Sequence, residues 1–154
     1  MRNPAARYGL LALFLAVSLG GGMLVGISNP PGDWYAGLAK PSFNPPDWLF
    51  PPAWTLLYIL IGIAGWRVWR LRDSGALMIV WIVQMVLNFC WSPVFFGAQQ
   101  IGAALVVVLA LLATILLFIR LAWNRERVAA LLFLPYAAWV AFASLLNGAI
   151  LYLN

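Results

Sequence analysis

Aromatic and amide side chains recur at helical spacing in the apolar stretches of this sequence. One set lies within residues 75–96 and consists of Trp81, Gln84, Asn88 and Trp91. Its i, i+3, i+7, i+10 spacing places all of its members on one face of a helix. Because an unpaired amide is costly in an apolar environment, this face is predicted to point toward other helices.

Two further segments carry similar sets. Within residues 51–70, Trp54 and Tyr58 are four positions apart and therefore share a face. Rings with a few directed polar groups are the usual chemistry of a site for a flat, apolar ligand. The alternative is that the rings and amides of all three sets only hydrogen-bond to one another and pack the helices together. The third set, within residues 128–153, consists of Tyr136, Trp139, Ala143 and Asn147.

Several kinds of catalytic site are excluded by residue type. The chain has no histidine and a single cysteine, Cys90, which rules out a Ser-His-Asp triad and a thiolate metal cluster. No metal site and no required cofactor are expected, and no conventional catalytic residue is predicted. The four acidic residues fall in predicted loops or at their edges, so no buried proton relay is predicted. They are Asp33, Asp47, Asp73 and Glu126.

The composition predicts an all-α integral membrane protein. Only 8% of the residues are charged and 65% are hydrophobic, too few charges to coat a soluble globule. Apolar runs long enough to cross a hydrocarbon core of about 30 Å recur along the chain. We predict one domain, residues 1–154, a bundle of five transmembrane helices. The helices are expected at about 8–28, 51–70, 75–96, 101–119 and 128–153.

The basic residues predict the orientation. With five spans, eight of the nine lie on one side, and Lys40 lies alone on the other. This asymmetry predicts a cytoplasmic N-terminus. The net charge of +5 is therefore explained by topology and attraction to anionic lipid, and no nucleic-acid partner is expected. A cleaved signal peptide is the competing interpretation of the first span. The eight are Arg2, Arg7, Arg67, Arg70, Arg72, Arg120, Arg125 and Arg127.

The connection between the first two spans, residues 29–50, is rich in proline and tryptophan. Its prolines make it stiff and prevent a continuous helix, so an ordered loop is expected. Such a loop can close a cavity at one end of the bundle, with its aromatic side chains as a lid; the alternative is an interfacial loop without a ligand. The predicted lid residues are Trp34, Tyr35, Phe43 and Trp48, with Lys40 as the only base nearby.

Three ordered motifs resemble a known family. They are WYAGLAKPSFNPPDWLFPPAWTLLY (34–58), NFCWSPVFFG (88–97) and PYAAWVAFASLLN (135–147). They resemble the TspO/MBR family, that is, the tryptophan-rich sensory proteins and the translocator proteins once called peripheral benzodiazepine receptors. The resemblance implies a five-helix bundle, a homodimer, and a bacterial cell-membrane location. It also implies a pocket under the first loop that binds porphyrins such as protoporphyrin IX.

The resemblance also assigns eight residues to the ligand-binding site by their position in the family's motifs. Gln84 and Asn147 are not among these eight; they are added to the ligand-binding set because of their helical spacing. Trp54 and Trp139 correspond to the tryptophans proposed for light-driven porphyrin breakdown. The family's cholesterol motif requires a base soon after a tyrosine, but this chain ends at Tyr152-Leu153-Asn154, so a cholesterol role is not expected. The residues assigned by family position are Tyr35, Pro45, Trp54, Tyr58, Asn88, Trp91, Trp139 and Ala143.

Three functions are compatible with these residues. The first is a membrane receptor or sensor for porphyrin, linked to tetrapyrrole regulation and stress response, with Lys40 reaching a propionate. The second is a light-dependent porphyrin-degrading enzyme. The third is a porphyrin or lipid transporter, which the lack of ionisable residues at depth disfavours.

Overall fold

The computed structural model describes residues 3–154 and contains five helices long and apolar enough to cross a membrane. This confirms the predicted five-helix bundle. Arg2, one of the predicted orienting bases, lies outside the described residues, and the cytoplasmic N-terminus stays a prediction. The helices are α1 (Pro4–Ser28), α2 (Asp47–Trp69), α3 (Gly75–Gly97), α4 (Ile101–Ala122) and α5 (Arg127–Leu153).

Two helices begin earlier than predicted, for local reasons. The Asn3 side chain caps α1 by accepting a hydrogen bond from the Ala5 amide at 3.0 Å, so the helix begins before the apolar run does. A short 3₁₀ turn, Asp47–Leu49, leads into α2 ahead of the two prolines that were predicted to start it. The other ends differ from prediction by only a few residues.

The helices pack in the ring order α1, α2, α5, α4, α3, and the second half of α1 touches α3 to close the ring. The interface between α4 and α5 is the most extensive. Within it, Phe118 and Phe133 stack with ring centroids 4.0 Å apart. By contrast, α1 is the least covered helix, and Leu24 and Ile27 on its second half are exposed. The bundle is therefore closely packed on the α4–α5 side and looser near the end of α1.

Glycines on α2 allow α1 and α3 to approach closely. A β-carbon built on Gly65 would lie 2.5 Å from Cε2 of Trp81 and 2.8 Å from Cδ1 of Phe14. The Trp81 indole is held there because its N–H donates to the Ile61 carbonyl at 3.0 Å. Ser18 of α1 also donates across the interface, to the Tyr58 carbonyl of α2 at 2.8 Å. Small residues at such contacts are typical of packed membrane helices.

Replacing Gly65 by alanine is expected to destabilise the bundle. The added methyl group overlaps two anchored rings, and overpacking of this kind costs about 1–3 kcal/mol. Thermal unfolding in detergent, followed by circular dichroism, measures the effect. Gly9→Ala is the matched control, because nothing lies within 4 Å of its new β-carbon. Equal melting temperatures for the two variants would contradict this account of the α1–α2–α3 contact.

Candidate functional site

A cavity of about 640 Å³ lies inside the bundle, at the end covered by the loop between α1 and α2. All five helices and the loop contribute to its wall. Its volume falls in the range of about 300–1,000 Å³ found for small-molecule sites. The wall is mostly apolar and is dominated by aromatic rings, namely Tyr35, Phe50, Trp54, Tyr58, Trp91, Phe95, Phe96 and Trp139.

One group of rings joins α2 to α5. Trp54 stacks on Tyr58 with centroids 5.4 Å apart and planes inclined by 29°. The edge-to-face contact between Trp54 and Trp139 has a centroid distance of 6.4 Å and an angle of 88°. Phe50, from the first turn of α2, packs against Trp139 in the same manner at 5.8 Å. The two tryptophans predicted to meet at the site are therefore in contact on its wall.

A second group of rings joins the loop to α3. Trp91 and Phe95 stack with centroids 5.0 Å apart, and Tyr35 of the loop meets Phe95 edge-on at 6.1 Å. Trp34 contacts the same phenylalanine at 5.9 Å. Because Phe95 is fully buried, it anchors the loop to the bundle. The loop therefore forms a roof that is attached to the wall it covers.

A chain of buried hydrogen bonds connects α2, α3 and α5 beside the cavity. Tyr58 donates its hydroxyl proton to Oδ1 of Asn88 at 2.6 Å. Asn88 donates from Nδ2 to the Tyr136 hydroxyl oxygen at 2.7 Å, and Tyr136 donates in turn to Oε1 of Gln84 at 2.8 Å. We call these four side chains the tyrosine–amide network. Through it, three helices pair most of one another's polar groups where lipid can offer no partner; in this network Nε2 of Gln84 is buried without a partner among residues 3–154.

A second polar link fixes the opposite wall. The indole N–H of Trp91 donates to Oδ1 of Asn147 at 3.0 Å. Asn147 then donates from Nδ2 to the Ile101 carbonyl, also at 3.0 Å. Because Ile101 is the first residue of α4, this hydrogen bond attaches the side chain from α5 to the beginning of α4. The amide therefore sets the position of α3, α4 and α5 relative to one another.

The roof is held by hydrogen bonds as well as by rings. The Lys40 ammonium donates to the Tyr35 carbonyl at 2.8 Å and to the Leu38 carbonyl at 3.3 Å, and it lies 4.5 Å from the centroid of the Tyr35 ring. Burial, and then the nearby Asp47 carboxylate, raise the pKa of the Tyr35 phenol above its ordinary value. The phenol is therefore neutral at physiological pH.

The last residue of the chain clamps the roof to α5. Asn154 accepts a hydrogen bond at Oδ1 from the Ala39 amide at 3.0 Å. Its Nδ2 donates to the Ala39 carbonyl at 2.9 Å and to the Ile150 carbonyl at 2.7 Å. One side chain thus pairs both backbone groups of a loop residue.

Most of the residues predicted to bind a ligand line the cavity. Pro45 and Gln84 do not: Gln84 is fully buried within the tyrosine–amide network. The predicted lid residues Trp34, Lys40, Phe43 and Trp48 do not line the cavity either. Trp34 packs on Phe95, Lys40 donates to loop carbonyls, Phe43 packs against Phe142, and Trp48 is 71% exposed. Those on the wall are Tyr35, Trp54, Tyr58, Asn88, Trp91, Trp139, Ala143 and Asn147.

The sequence patterns missed several residues of the site, among them Phe50, Phe95, Asp47 and Asn154. Phe50 and Phe95 are wall residues, and Asp47 is the one charged side chain among the described lining residues. Phe95 lies four positions after Trp91, so helical spacing could have indicated it. Phe50 precedes Trp54 by the same interval, but it lies before the predicted start of that helix at residue 51. Asn154 had no such signal, because its partner Ala39 lies 115 residues away in the chain.

Comparison with known proteins identifies the family. Residues 12–153 match the TspO/MBR family. The chain belongs to the TspO/MBR family. It is 46% identical over 123 residues to the tryptophan-rich protein TspO of Archaeoglobus fulgidus, covering 79% of this chain and 80% of that one. A protein of the same name from Chlorobaculum tepidum is 41% identical over 150 residues, covering 94% and 95% of the two chains.

The likeness extends to animal proteins. The human translocator protein is 39% identical over 120 residues, which cover 74% of this chain and 70% of the human one. Family membership and the five apolar helices together make this chain a multi-pass membrane protein of the TspO type. The cavity under the first loop is therefore the candidate site of a TspO-type membrane receptor.

Removing the Tyr136 hydroxyl is expected to weaken the whole bundle. In Tyr136→Phe, Nδ2 of Asn88 and Oε1 of Gln84 lose their partner inside an apolar core, at a cost of about 1–3 kcal/mol. A lower melting temperature in detergent is the expected result. Tyr152→Phe should melt like the parent chain, because that ring is 89% exposed. A Tyr136→Phe protein as stable as the parent would show that the network is dispensable.

Releasing the Asn154 clamp is expected to loosen the roof alone. In Asn154→Ala, the Ala39 amide loses its acceptor, and since a net hydrogen bond is worth about 1 kcal/mol, exchange in the loop should become about fivefold faster. Hydrogen–deuterium exchange of peptides covering residues 33–43 measures this. Asn3→Ala, which removes a cap at the other end of the bundle, is the control. Unchanged loop exchange would indicate that ring contacts alone hold the roof.

Proposed function

We propose that this protein is a membrane receptor that binds a porphyrin, or a closely similar flat tetrapyrrole, in the cavity under the first loop. The observation that carries the proposal is the cavity of about 640 Å³ walled by Trp54, Tyr58, Trp91 and Trp139. These rings come from three different helices, so they can contact a flat ligand along several edges. Family membership supports a receptor role, and the chemistry of the wall supports the class of ligand.

Apolar contact is the main driving force available in this cavity. Burial of apolar surface contributes about 25 cal/mol per Å², and an aromatic pair adds about 0.5–1.5 kcal/mol beyond that. The polar groups of the wall are mostly engaged with one another, as in the bonds from Tyr58 to Asn88 and from Trp91 to Asn147. A ligand with polar groups along the edges that enter the cavity would have to break them, whereas a flat macrocycle with apolar faces can stack on the rings without doing so.

The charges of the site determine how such a ligand is oriented. Asp47 is the one charged residue that lines the described cavity, and Lys40 is occupied by the carbonyls of the loop. A propionate placed deep in the cavity would therefore be desolvated without a cation, which is costly. The acidic edge of a porphyrin is expected to remain outside, with the macrocycle inside. This replaces the predicted contact between Lys40 and a propionate.

Access from the bilayer suits an apolar ligand. Met23 and Ile27 of α1 and Thr55 of α2 line the cavity, and all three residues are exposed. We infer that the cavity is open toward the lipid between α1 and α2. A ligand that partitions into the membrane can reach the rings from the side while the roof stays attached. The homodimer implied by the family resemblance stays a prediction.

Tryptophan fluorescence tests the proposal. Protoporphyrin IX should quench the parent protein saturably, and the double variant Trp54→Phe/Trp139→Phe should raise its dissociation constant about three- to tenfold through lost ring contact. Protoporphyrin dimethyl ester should bind at least as tightly as the free acid, because the carboxylates are expected to lie outside.

A matched control separates the site from the membrane surface. The variant Trp69→Phe/Trp123→Phe removes two partly exposed indoles that do not line the cavity, so its dissociation constant should equal that of the parent. If both double variants bind equally well, the ligand is held elsewhere. If the dimethyl ester fails to bind while the acid binds, a salt bridge and not ring stacking governs recognition.

A further inference from the structure

A second pocket lies at the opposite end of the bundle, where α1 begins and α2 ends. Its volume is about 300 Å³, and it is lined by Arg7, Leu10, Trp66, Trp69 and Arg70. Cationic side chains dominate its polar wall. It shares no residue with the aromatic cavity, so its role is independent of the porphyrin proposal.

Two guanidinium groups are gathered around one indole in this pocket. The guanidinium carbon of Arg70 lies 4.8 Å from the centroid of the Trp66 ring, and that of Arg7 lies 5.5 Å from it. The indole is fixed, because its N–H donates to the Arg7 carbonyl at 3.1 Å. Cation–π contact holds each charge beside this ring, and both guanidinium groups line the same pocket.

Neither of these charges is balanced by an acid. The described residues include all four acidic side chains, and their ion pairs go to Arg67, which meets Glu126 at 3.1 Å, and to Arg125, which meets Asp73. The Nε atom of Arg7 is buried and has no hydrogen-bond partner among residues 3–154. Two cations that line one pocket, together with a buried N–H donor that has no partner, favour the binding of an anion there.

The shape and position of the pocket select the kind of anion. Guanidinium forks match phosphate oxygens in geometry as well as in charge. Leu10 and the half-exposed Trp69 form the apolar part of the wall, and Phe14 supports Trp69 at a centroid distance of 6.2 Å. Tryptophan near helix ends is typical of the headgroup level of a membrane, and basic pockets between helices there bind anionic headgroups.

We propose that Arg7 and Arg70, arranged around Trp66, form a binding site for a phosphate group. The position of the site favours the phosphodiester of an anionic lipid, with the acyl chains along Leu10 and Trp69. Inorganic phosphate carries the same chemistry, and the experiment distinguishes the two sources. A lipid bound here joins the beginning of α1 to the end of α2.

Native mass spectrometry of the full chain in detergent tests the site, with phosphatidylglycerol as the probe and phosphatidylcholine as the zwitterionic reference. The parent protein should retain one phosphatidylglycerol in preference to phosphatidylcholine. In Arg7→Gln/Arg70→Gln the dissociation constant for phosphatidylglycerol should rise about thirtyfold, because each base near an anionic lipid contributes about a factor of five. Arg7→Lys/Arg70→Lys, which keeps the charge but not the fork, should fall between the two.

The chain offers a control with the same loss of charge. Arg127 also lies over an indole, that of Trp123, at 5.0 Å, but it donates to the Trp123 carbonyl and no second cation shares the ring. Arg120→Gln/Arg127→Gln should therefore change the phosphatidylglycerol dissociation constant less than about twofold. A melting curve of each variant checks that it is folded. If the double variant is not folded, Arg70→Gln alone replaces it. This single substitution removes no side-chain hydrogen bond in the described structure.

Competition identifies the source of the phosphate. If millimolar inorganic phosphate at constant ionic strength leaves the lipid in place, the site takes a lipid phosphodiester. If inorganic phosphate displaces the lipid, and does so only when both arginines are present, the site takes a free phosphate. Equal retention of phosphatidylglycerol by the parent and Arg7→Gln/Arg70→Gln, or equal loss in that variant and the Arg120/Arg127 control, would overturn the proposal.

Discussion

Hydrocarbon offers no hydrogen bonds, and the interior of this bundle is organised by that constraint. A buried amide or hydroxyl in a membrane helix must find its partner in another helix or in its own backbone. Here Gln84, Asn88, Tyr58 and Tyr136 find partners in one another, at donor–acceptor distances of 2.6–2.8 Å. Each bond in that network is also a constraint on how α2, α3 and α5 are rotated. The rings that neighbour these groups in sequence are oriented with them.

The rotation set by these polar contacts explains why a cavity forms where the rings meet. Once Tyr58 is turned toward Asn88, its stacking partner Trp54 is placed beside Trp139. Once Asn147 is bound to Trp91, the aromatic face of α3, which carries Trp91 and Phe95, is fixed under the roof. Large planar side chains held by their edges cannot fill the space between them completely. The same helix arrangement therefore produces both the polar contacts and the unfilled space between the rings. Because these contacts hold the wall rigid, the site loses little entropy when it binds a ligand.

Periodicity in the sequence predicts the helices and most of the wall of the cavity, because both depend on local spacing. Trp54 and Tyr58, or Asn88 and Trp91, are on one face wherever the helix lies. Gln84 shares that spacing but its side chain points into the helix packing, and a one-dimensional pattern does not distinguish an inner wall from an interface. The role of Asn154 depends on its hydrogen bonds to Ala39 of the loop, 115 residues away in the chain. Such pairings follow from the helix ring order, which no local signal contains.

The two ends of the bundle are suited to different kinds of ligand, and α2 connects them. At the roofed end, the cavity wall is mostly aromatic, with Asp47 as the one charged side chain among the described lining residues, so that end is suited to a ligand held by ring contacts and the loop. At the other end, Trp66 collects two unbalanced cations, so that end responds to anions at the membrane surface. The helix α2 connects them, since Trp54 lies on the cavity wall and Trp66 lies three turns further along the same helix. Because α2 is one continuous helix, a ligand that changed its tilt at one end would also change the geometry of the arginines at the other. Linkage would then require an anion bound to those arginines to change the affinity of the aromatic cavity by the same factor.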